Sequence, residues 1–279
     1  MPELPEVETV VQDLRPELRG RSVVEAEVTL DRIVRFPDAR TFVKGLNGAR
    51  IEDVARRGKY LLLPLARREG EEEELVVHLG MTGHLEVRDP GAPARPHTHF
   101  RARLDDGREL RYSDTRQFGR LLLGPREVLE ARRAMPRLGV EPLSADFTAA
   151  ALDAVLRSTR RSVKAALLDQ RGVAGLGNIY VDEACFRAGV KPQRRCPRLT
   201  RKERAALHEA IVWVLEHAVR NRGSSVDDFR DIWGAEGSNQ EELLAYGRAG
   251  LPCLRCGHPA LKKAVVAGRG TTWCPGCQR

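Results

Sequence analysis

The chain has 279 residues, with 47 lysines and arginines against 39 acidic residues and a formal net charge of +8. That length suits two modest domains and a small appendage with a well-buried core, and the basic surplus points to a polyanionic partner, nucleic acid first among them. The acidic N-terminus without an apolar core excludes a secretory signal, and no stretch approaches the roughly twenty apolar residues of a membrane helix, so a cytoplasmic protein is expected.

Pro5 to Leu18 reads as an amphipathic helix, with proline tolerated in its first turn and Val7, Val10, Val11, Leu14 and Leu18 on one stripe. Pro16 is expected to kink it or end it early. From Ser22 to Gly124 the pattern turns to short strands. Val24, Ala26, Val28 and Leu30 alternate with polar residues, followed by candidates at Tyr60–Leu65, Leu75–Leu79, His99–Leu104, Glu109–Tyr112 and Arg120–Leu123. Asp105-Asp106-Gly107 signals a tight turn between two of them. Glu71–Glu74 reads as a solvated hairpin tip. Strands at this spacing predict a β-sandwich.

Pro136 to Ser144 carries turn residues and reads as a linker. Beyond it the pattern is helical: Ala149–Leu156, Val163–Leu168, Ile179–Ala188 and Thr200–Asn221. Thr200 and Glu203 make a capping-box signature, and Leu207, Ile211, Val214, Leu215 and Ala218 form the core face of the last helix. Gly223 to Asn239 is polar and reads as a mobile loop. The prediction is an α+β chain: an N-terminal β-sandwich with flanking helices over 1–135, a linker over 136–148, a helical domain over 149–250 and a C-terminal finger over 251–279.

The finger rests on Cys253-x-x-Cys256 and Cys274-x-x-Cys277, seventeen residues apart. Each pair can place two thiolates on one knuckle, and two knuckles complete the tetrahedral shell of one structural Zn²⁺ with no open position for catalysis. Disulfides are the alternative, which a cytoplasmic chain disfavours. His258 is read as a bystander, Cys185 as packing and Cys196 as an ordinary thiol. Between the knuckles Lys262, Lys263 and Arg269 offer charge to phosphate.

The chain opens Met1-Pro2-Glu3-Leu4-Pro5-Glu6-Val7-Glu8. Loss of Met1 would expose a secondary amine at Pro2. An α-amino group titrates near pH 8, well below a lysine, so a useful fraction is neutral. Its attack on a sugar C1′ gives a cationic iminium that acidifies the C2′ proton and permits β-elimination. By spacing alone, Glu3, Glu6 and Glu8 read as acids at a helix start rather than as catalytic groups.

The Pro2–Glu8 segment with the four-cysteine finger resembles the formamidopyrimidine-DNA glycosylase family. Further matches follow in order: Arg57-Gly58-Lys59-Tyr60-Leu61, His78-Leu79-Gly80-Met81, Asp114–Gly119, Gly175–Tyr180, Tyr246-Gly247-Arg248 and the finger. The resemblance implies a monomeric base-excision enzyme for oxidised purines in double-stranded DNA, nucleoid-associated when bound. It implies Pro2 as the Schiff-base nucleophile, Glu3 as general acid and Glu6 as support for proton transfer. It makes Lys59 a proton donor in elimination and a phosphate contact, and Arg269 a phosphate contact that assists δ-elimination. Met81, Arg116 and Phe118 would fill the hole left by the extruded base, because glycosidic chemistry takes the nucleotide out of the stack. Val163–Gly189 resembles a helix-two-turn-helix element, with Asn178 capping its second helix and His97, Arg160, Lys164 and Asn178 as DNA contacts. The position of the family's base-recognition loop is occupied by Gly223–Asn239, but Gly237-Ser238-Asn239 lacks an aromatic; Trp233 is the aromatic in that loop. Arg68–Glu74 reads as a local elaboration. Two other readings stay open: an endonuclease VIII-like enzyme for oxidised pyrimidines, against which Leu4, Val7 and the long loop weigh, and a non-catalytic zinc-finger protein that binds nucleic acid.

Overall fold

The computed structural model describes residues 1–66, 73–226 and 228–279. The expectations for the acidic tip at Glu71 and Glu72, and for most of the Arg68–Glu74 elaboration, lie outside the described residues. The chain divides into two units: Met1–Pro2, Glu6–Arg137 and Ser224–Gly237 form the first, and Glu3–Pro5, Leu138–Gly223 and Ser238–Arg279 the second.

The first unit is a β-sandwich. Strands β1 (Val23–Val28), β7 (Gly83–Arg88), β8 (Thr98–Leu104) and β9 (Glu109–Asp114) make a sheet ordered β1-β8-β9-β7. Strands β2 (Val34–Phe36), β3 (Arg50–Ile51), β5 (Tyr60–Ala66), β6 (Glu73–His78) and β10 (Arg120–Gly124) make a second sheet, ordered β2-β10-β6-β5-β3, with β4 (Ala55–Arg57) paired to β5. Leu61, Leu63, Leu75, Val77, Leu121 and Leu123 from one sheet meet Leu85, Phe100, Ala102, Leu110 and Tyr112 from the other in one core. The stripe of α1 (Leu4–Leu18) closes that core through Val7, Val10, Val11, Leu14 and Leu18. Helix α2 (Ala39–Leu46) adds Phe42 and Leu46, and α3 (Arg126–Ala131) follows β10.

Several local expectations change. Pro16 does not shorten α1, because it lies in the last turn, and the helical ladder continues past it with Arg19 N donating to Arg15 O. The alternation in β1 breaks at a register shift between Val23 and Glu25, so Val23 and Ala26 face the core while Val24 is 45% exposed; a bulge inverts the faces of the residues before it. The Asp105-Asp106-Gly107 turn forms as expected, with Gly107 at φ +88°. The segment read as a polar loop contributes to the core, since Ile232 is 1% exposed and Phe229 also packs there.

The second unit is helical. Thr148 caps α4 (Ala149–Arg157), and Ser162 caps α5 (Val163–Leu167). Helix α6 (Asn178–Ala188) packs on α7 (Arg201–Arg220), whose Thr200–Glu203 capping box forms reciprocally. Leu152, Leu167, Tyr180, Leu207, Ile211 and Leu215 meet in its core, together with Cys185 and Cys196. The C-terminal hairpin β11 (Lys262–Val266) and β12 (Arg269–Trp273) turns through Ala267 and Gly268, both at positive φ as a two-residue primed turn requires.

Candidate active site and nucleic-acid interface

Pro2 is buried in the first unit and lines a cavity of about 430 Å³, beside Met81, Thr82, His84, Ser113, Thr115, Arg116 and Arg230. The opening acids separate by role. Glu6 is 1% exposed and accepts a hydrogen bond from Ser224 N at 2.7 Å, which ties α1 to the base of the Ser224–Gly237 segment. Glu8 is committed to Arg56, whose Nε lies 2.9 Å from its carboxylate.

Within the second unit Glu3 is buried, and its two carboxylate oxygens accept from Ile179 N at 3.0 Å and Tyr180 N at 3.4 Å. The start of α6 has unpaired amides that attract an anion, and Glu3 takes that place from 176 residues away. Asn178 is therefore not the cap: Gly177 holds the N-cap position with no side-chain bond, and Asn178 is the first helical residue with its Oδ1 buried and unpaired. Gly177 is dictated by proximity. A Cβ there would stand 2.2 Å from the Glu3 carboxyl carbon, and one at Gly175, at φ +83°, would stand 2.8 Å from Leu4.

Lys59 is the second residue of a two-residue turn between β4 and β5, where Arg57 pairs with Tyr60 and Gly58 adopts φ +57°. Its side chain is 6% exposed. His78 feels it: burial, then the charges of Lys59 and Arg120, hold the imidazole down at about 4, so the ring is neutral at physiological pH. Gly80 N donates to His78 Nδ1 at 3.2 Å, leaving the proton on Nε2.

Two loops present Met81, Arg116 and Phe118. Asp114 gathers them: it accepts from Gly119 N at 2.7 Å and Thr82 Oγ1 at 2.5 Å, while Thr82 Oγ1 accepts from Arg116 N at 3.0 Å. The backbones touch closely enough that a Cβ at Gly80 would lie 2.6 Å from Gly119 N. Burial and the Asp114 carboxylate push the Tyr112 phenol beneath this turn up. The result is an exposed tip: Phe118 is 55% exposed and Arg116 stacks over it at 5.1 Å. Phe118 is therefore not a core residue.

His97 is exposed, at φ +59°, and Arg160 and Arg269 are exposed as well. Lys164 is not a surface cation. It is fully buried, with Nζ 2.7 Å from Asp182 Oδ1 and 3.0 Å from Gly270 O, and Asp182 Oδ2 accepts from Thr272 N. A lysine one residue into a helix looks solvated in sequence; here an acid on α6 and the carbonyl after Arg269 enclose it, so its task is to hold β12. Sequence reasoning also missed Glu183. Its buried carboxylate accepts from the amides of Leu244, Ala245 and Tyr246, while burial pushes its pKa up.

The four Sγ atoms of Cys253, Cys256, Cys274 and Cys277 lie within 4.8 Å of one another. Cys253–Cys277 and Cys256–Cys274 stand at 3.7 and 3.6 Å, against about 3.8 Å for the edge of a tetrahedron with 2.3 Å metal–sulfur bonds. The donors fit a thiophilic metal ion. His258 points elsewhere, its Nδ1 toward Ala260 O.

Three family models match in succession: the formamidopyrimidine-DNA glycosylase N-terminal domain over residues 1–121, its H2TH domain over 138–230, and the zinc finger found in FPG and IleRS over 250–279. The formamidopyrimidine-DNA glycosylase of Moorella thermoacetica is 48% identical, covering 93% of each chain, and that of Geobacillus kaustophilus is 44% identical over the whole of both. The chain belongs to the formamidopyrimidine-DNA glycosylase family. Solved structures of the family agree. A variant of the Lactococcus lactis enzyme in complex with Fapy-dG-containing DNA superposes with a TM-score of 0.90 at 35% identity, covering all of both chains. The enzyme from Thermus thermophilus gives 0.87 at 42% identity, covering 99% of this chain and 98% of that one. The third family model and the sulfur geometry together make the cysteine cluster a metal-binding finger.

Proposed function

We propose that the chain is a bifunctional DNA glycosylase and abasic-site lyase that removes oxidised purines from duplex DNA through the amine of Pro2. Family membership carries the glycosylase activity on oxidised purines, and relatives solved with Fapy-dG or abasic-site DNA support the substrate; neither the oxidised-pyrimidine reading nor the non-catalytic one is favoured. The observation that carries the mechanism is Pro2, buried at the wall of a cavity beside Met81 and Arg116.

With Met1 removed, the neutral Pro2 nitrogen attacks C1′ of the extruded nucleotide. The new N–C1′ bond forms as the glycosidic C1′–N bond breaks, and the base departs with a proton. Ring opening leaves an iminium, loss of the C2′ proton expels the 3′ phosphate, and a second elimination expels the 5′ phosphate. Glu3, its carboxyl group oriented by two amides, serves as general acid in its protonated form and hands that proton to the sugar ring oxygen or the departing base. Glu6 supports proton transfer near the amine, and Lys59 donates a proton in elimination and contacts phosphate. Met81, Arg116 and Phe118 plug the duplex, while His97, Arg160, Asn178 and Arg269 grip the backbone, so affinity falls steeply with salt. Lys164 is withdrawn from that set by its burial. Cys253, Cys256, Cys274 and Cys277 would hold one Zn²⁺, which would supply a cross-link that folds the finger. The protein acts as a monomer on DNA.

The test is borohydride trapping on a duplex with 8-oxoguanine, paired with intact-mass measurement. Native enzyme lacking Met1 is expected to form the covalent adduct, and Pro2→Gly to form little or none. Full trapping by protein that retains Met1 overturns the amine mechanism.

A further inference from the structure

One face of α1 is stitched to the β3–β5 segment by two arginine–carboxylate pairs. Arg15 grips Asp53 through two bonds of 2.7 Å and is half exposed. Arg56 differs in kind. Its side chain is 7% exposed, and its guanidinium reaches both the helix and the turn: Nε donates to Glu8 Oε2 at 2.9 Å and Nη1 to Gly58 O at 3.0 Å. Gly58 O belongs to the peptide that joins Gly58 to Lys59, so its anchoring fixes the plane from which the Lys59 side chain departs. Gly58 takes φ +57°, and without a Cβ that backbone has more freedom than any other residue allows.

We propose that Arg56 is a positioning residue for the elimination steps: through one fork it sets the Lys59 ammonium relative to the helix that follows Pro2. The inference rests on the assignment of Lys59 to elimination. A lysine at 56 can keep an ion pair with Glu8, but a single ammonium on a flexible stem does not reproduce the planar two-partner geometry. Arg56 therefore separates charge from geometry, and Arg15 separates helix clamping from turn anchoring.

The experiment uses the full-length zinc-loaded enzyme on a duplex with a preformed abasic site, which removes base release from the measurement. Single-turnover elimination is read beside the rate of borohydride trapping. Arg56→Met and Arg56→Lys are each expected to slow elimination at least about tenfold while trapping stays within about threefold, because displacing a reacting group by an ångström costs on that scale. Arg15→Met, which removes the neighbouring clamp, is expected to leave elimination within about threefold. Should Arg56→Met fail to fold, Arg56→Lys carries the test. Native elimination in Arg56→Lys, or an equal fall in Arg15→Met, overturns the proposal. Lys59→Ala distinguishes the two layers. Slow elimination there with native elimination in Arg56→Lys removes the positioning role alone; native elimination in Lys59→Ala removes the assignment of Lys59 and this inference with it.

Discussion

Replacing Lys164 with methionine keeps most of the side-chain length and deletes one buried charge. Asp182, itself fully buried, then loses the ammonium 2.7 Å away and retains the Thr272 amide as partner. Breaking a buried pair from one side costs about 3–5 kcal/mol, because the remaining charge is left uncompensated. At about 2–4 °C per kcal/mol, the thermal midpoint is expected to fall by roughly 10 °C. Gly270 O loses its anchor as well, and Arg269 sits on the preceding residue, so DNA affinity is expected to drop. Its salt dependence discriminates the cause. Removing a phosphate contact lowers the slope of log K against log salt by about one, whereas loosening a hairpin leaves the number of contacts unchanged. Equilibrium binding at several salt concentrations, beside thermal melting, measures both. A slope reduced by about one with an unshifted melting midpoint would refute the buried role and return Lys164 to the DNA surface.

Gly177→Ala inserts a methyl group 2.2 Å from the Glu3 carboxyl carbon. Displacing that carboxyl group breaks the two amide hydrogen bonds that orient it; base release, followed by single-turnover kinetics, is expected to slow by about 10- to 100-fold, the scale of misplacing a reacting group by about an ångström, and a native rate would sink the argument. His78 predicts acid sensitivity. Its folded pKa of about 4 lies below the unfolded value near 6.5, so the unfolded chain binds the extra proton and stability falls as pH drops through that window. The native protein is expected to lose about 2 kcal/mol more than His78→Gln between about pH 7 and pH 4.5 in denaturant titrations, and parallel losses would contradict the assignment.

Legibility follows the range of each interaction. The Thr200–Glu203 box, the Ser162–Val163 helix start, the Asp105–Gly107 turn and the paired cysteines are all readable, because each is satisfied within a few residues or by a fixed spacing. Helix α2 carries a local signal of the same kind, since Asp38 accepts from Thr41 N three residues on, but the strand pattern around it masks that signal. The β1 bulge has none, because nothing in Val23-Val24-Glu25 says which valine faces inward.

The polar contacts that the sequence does not reveal share one cause. A buried carboxylate or ammonium persists when its partners are present, and these partners lie far along the chain: Glu3 with the α6 amides, Glu6 with Ser224 at a separation of 218 residues, Glu183 with 244–246, and Lys164 with Asp182 and Gly270. In sequence Glu3 and Lys164 look alike, each a charge near a helix start. Packing divides them. Glu3 stands at amides freed for an anion, so its burial ties the start of the chain to the start of α6. Lys164 is enclosed by an acid and a carbonyl, so its burial serves the hairpin that presents Arg269. Resemblance locates both residues, but only the identity of their partners shows which element each one holds.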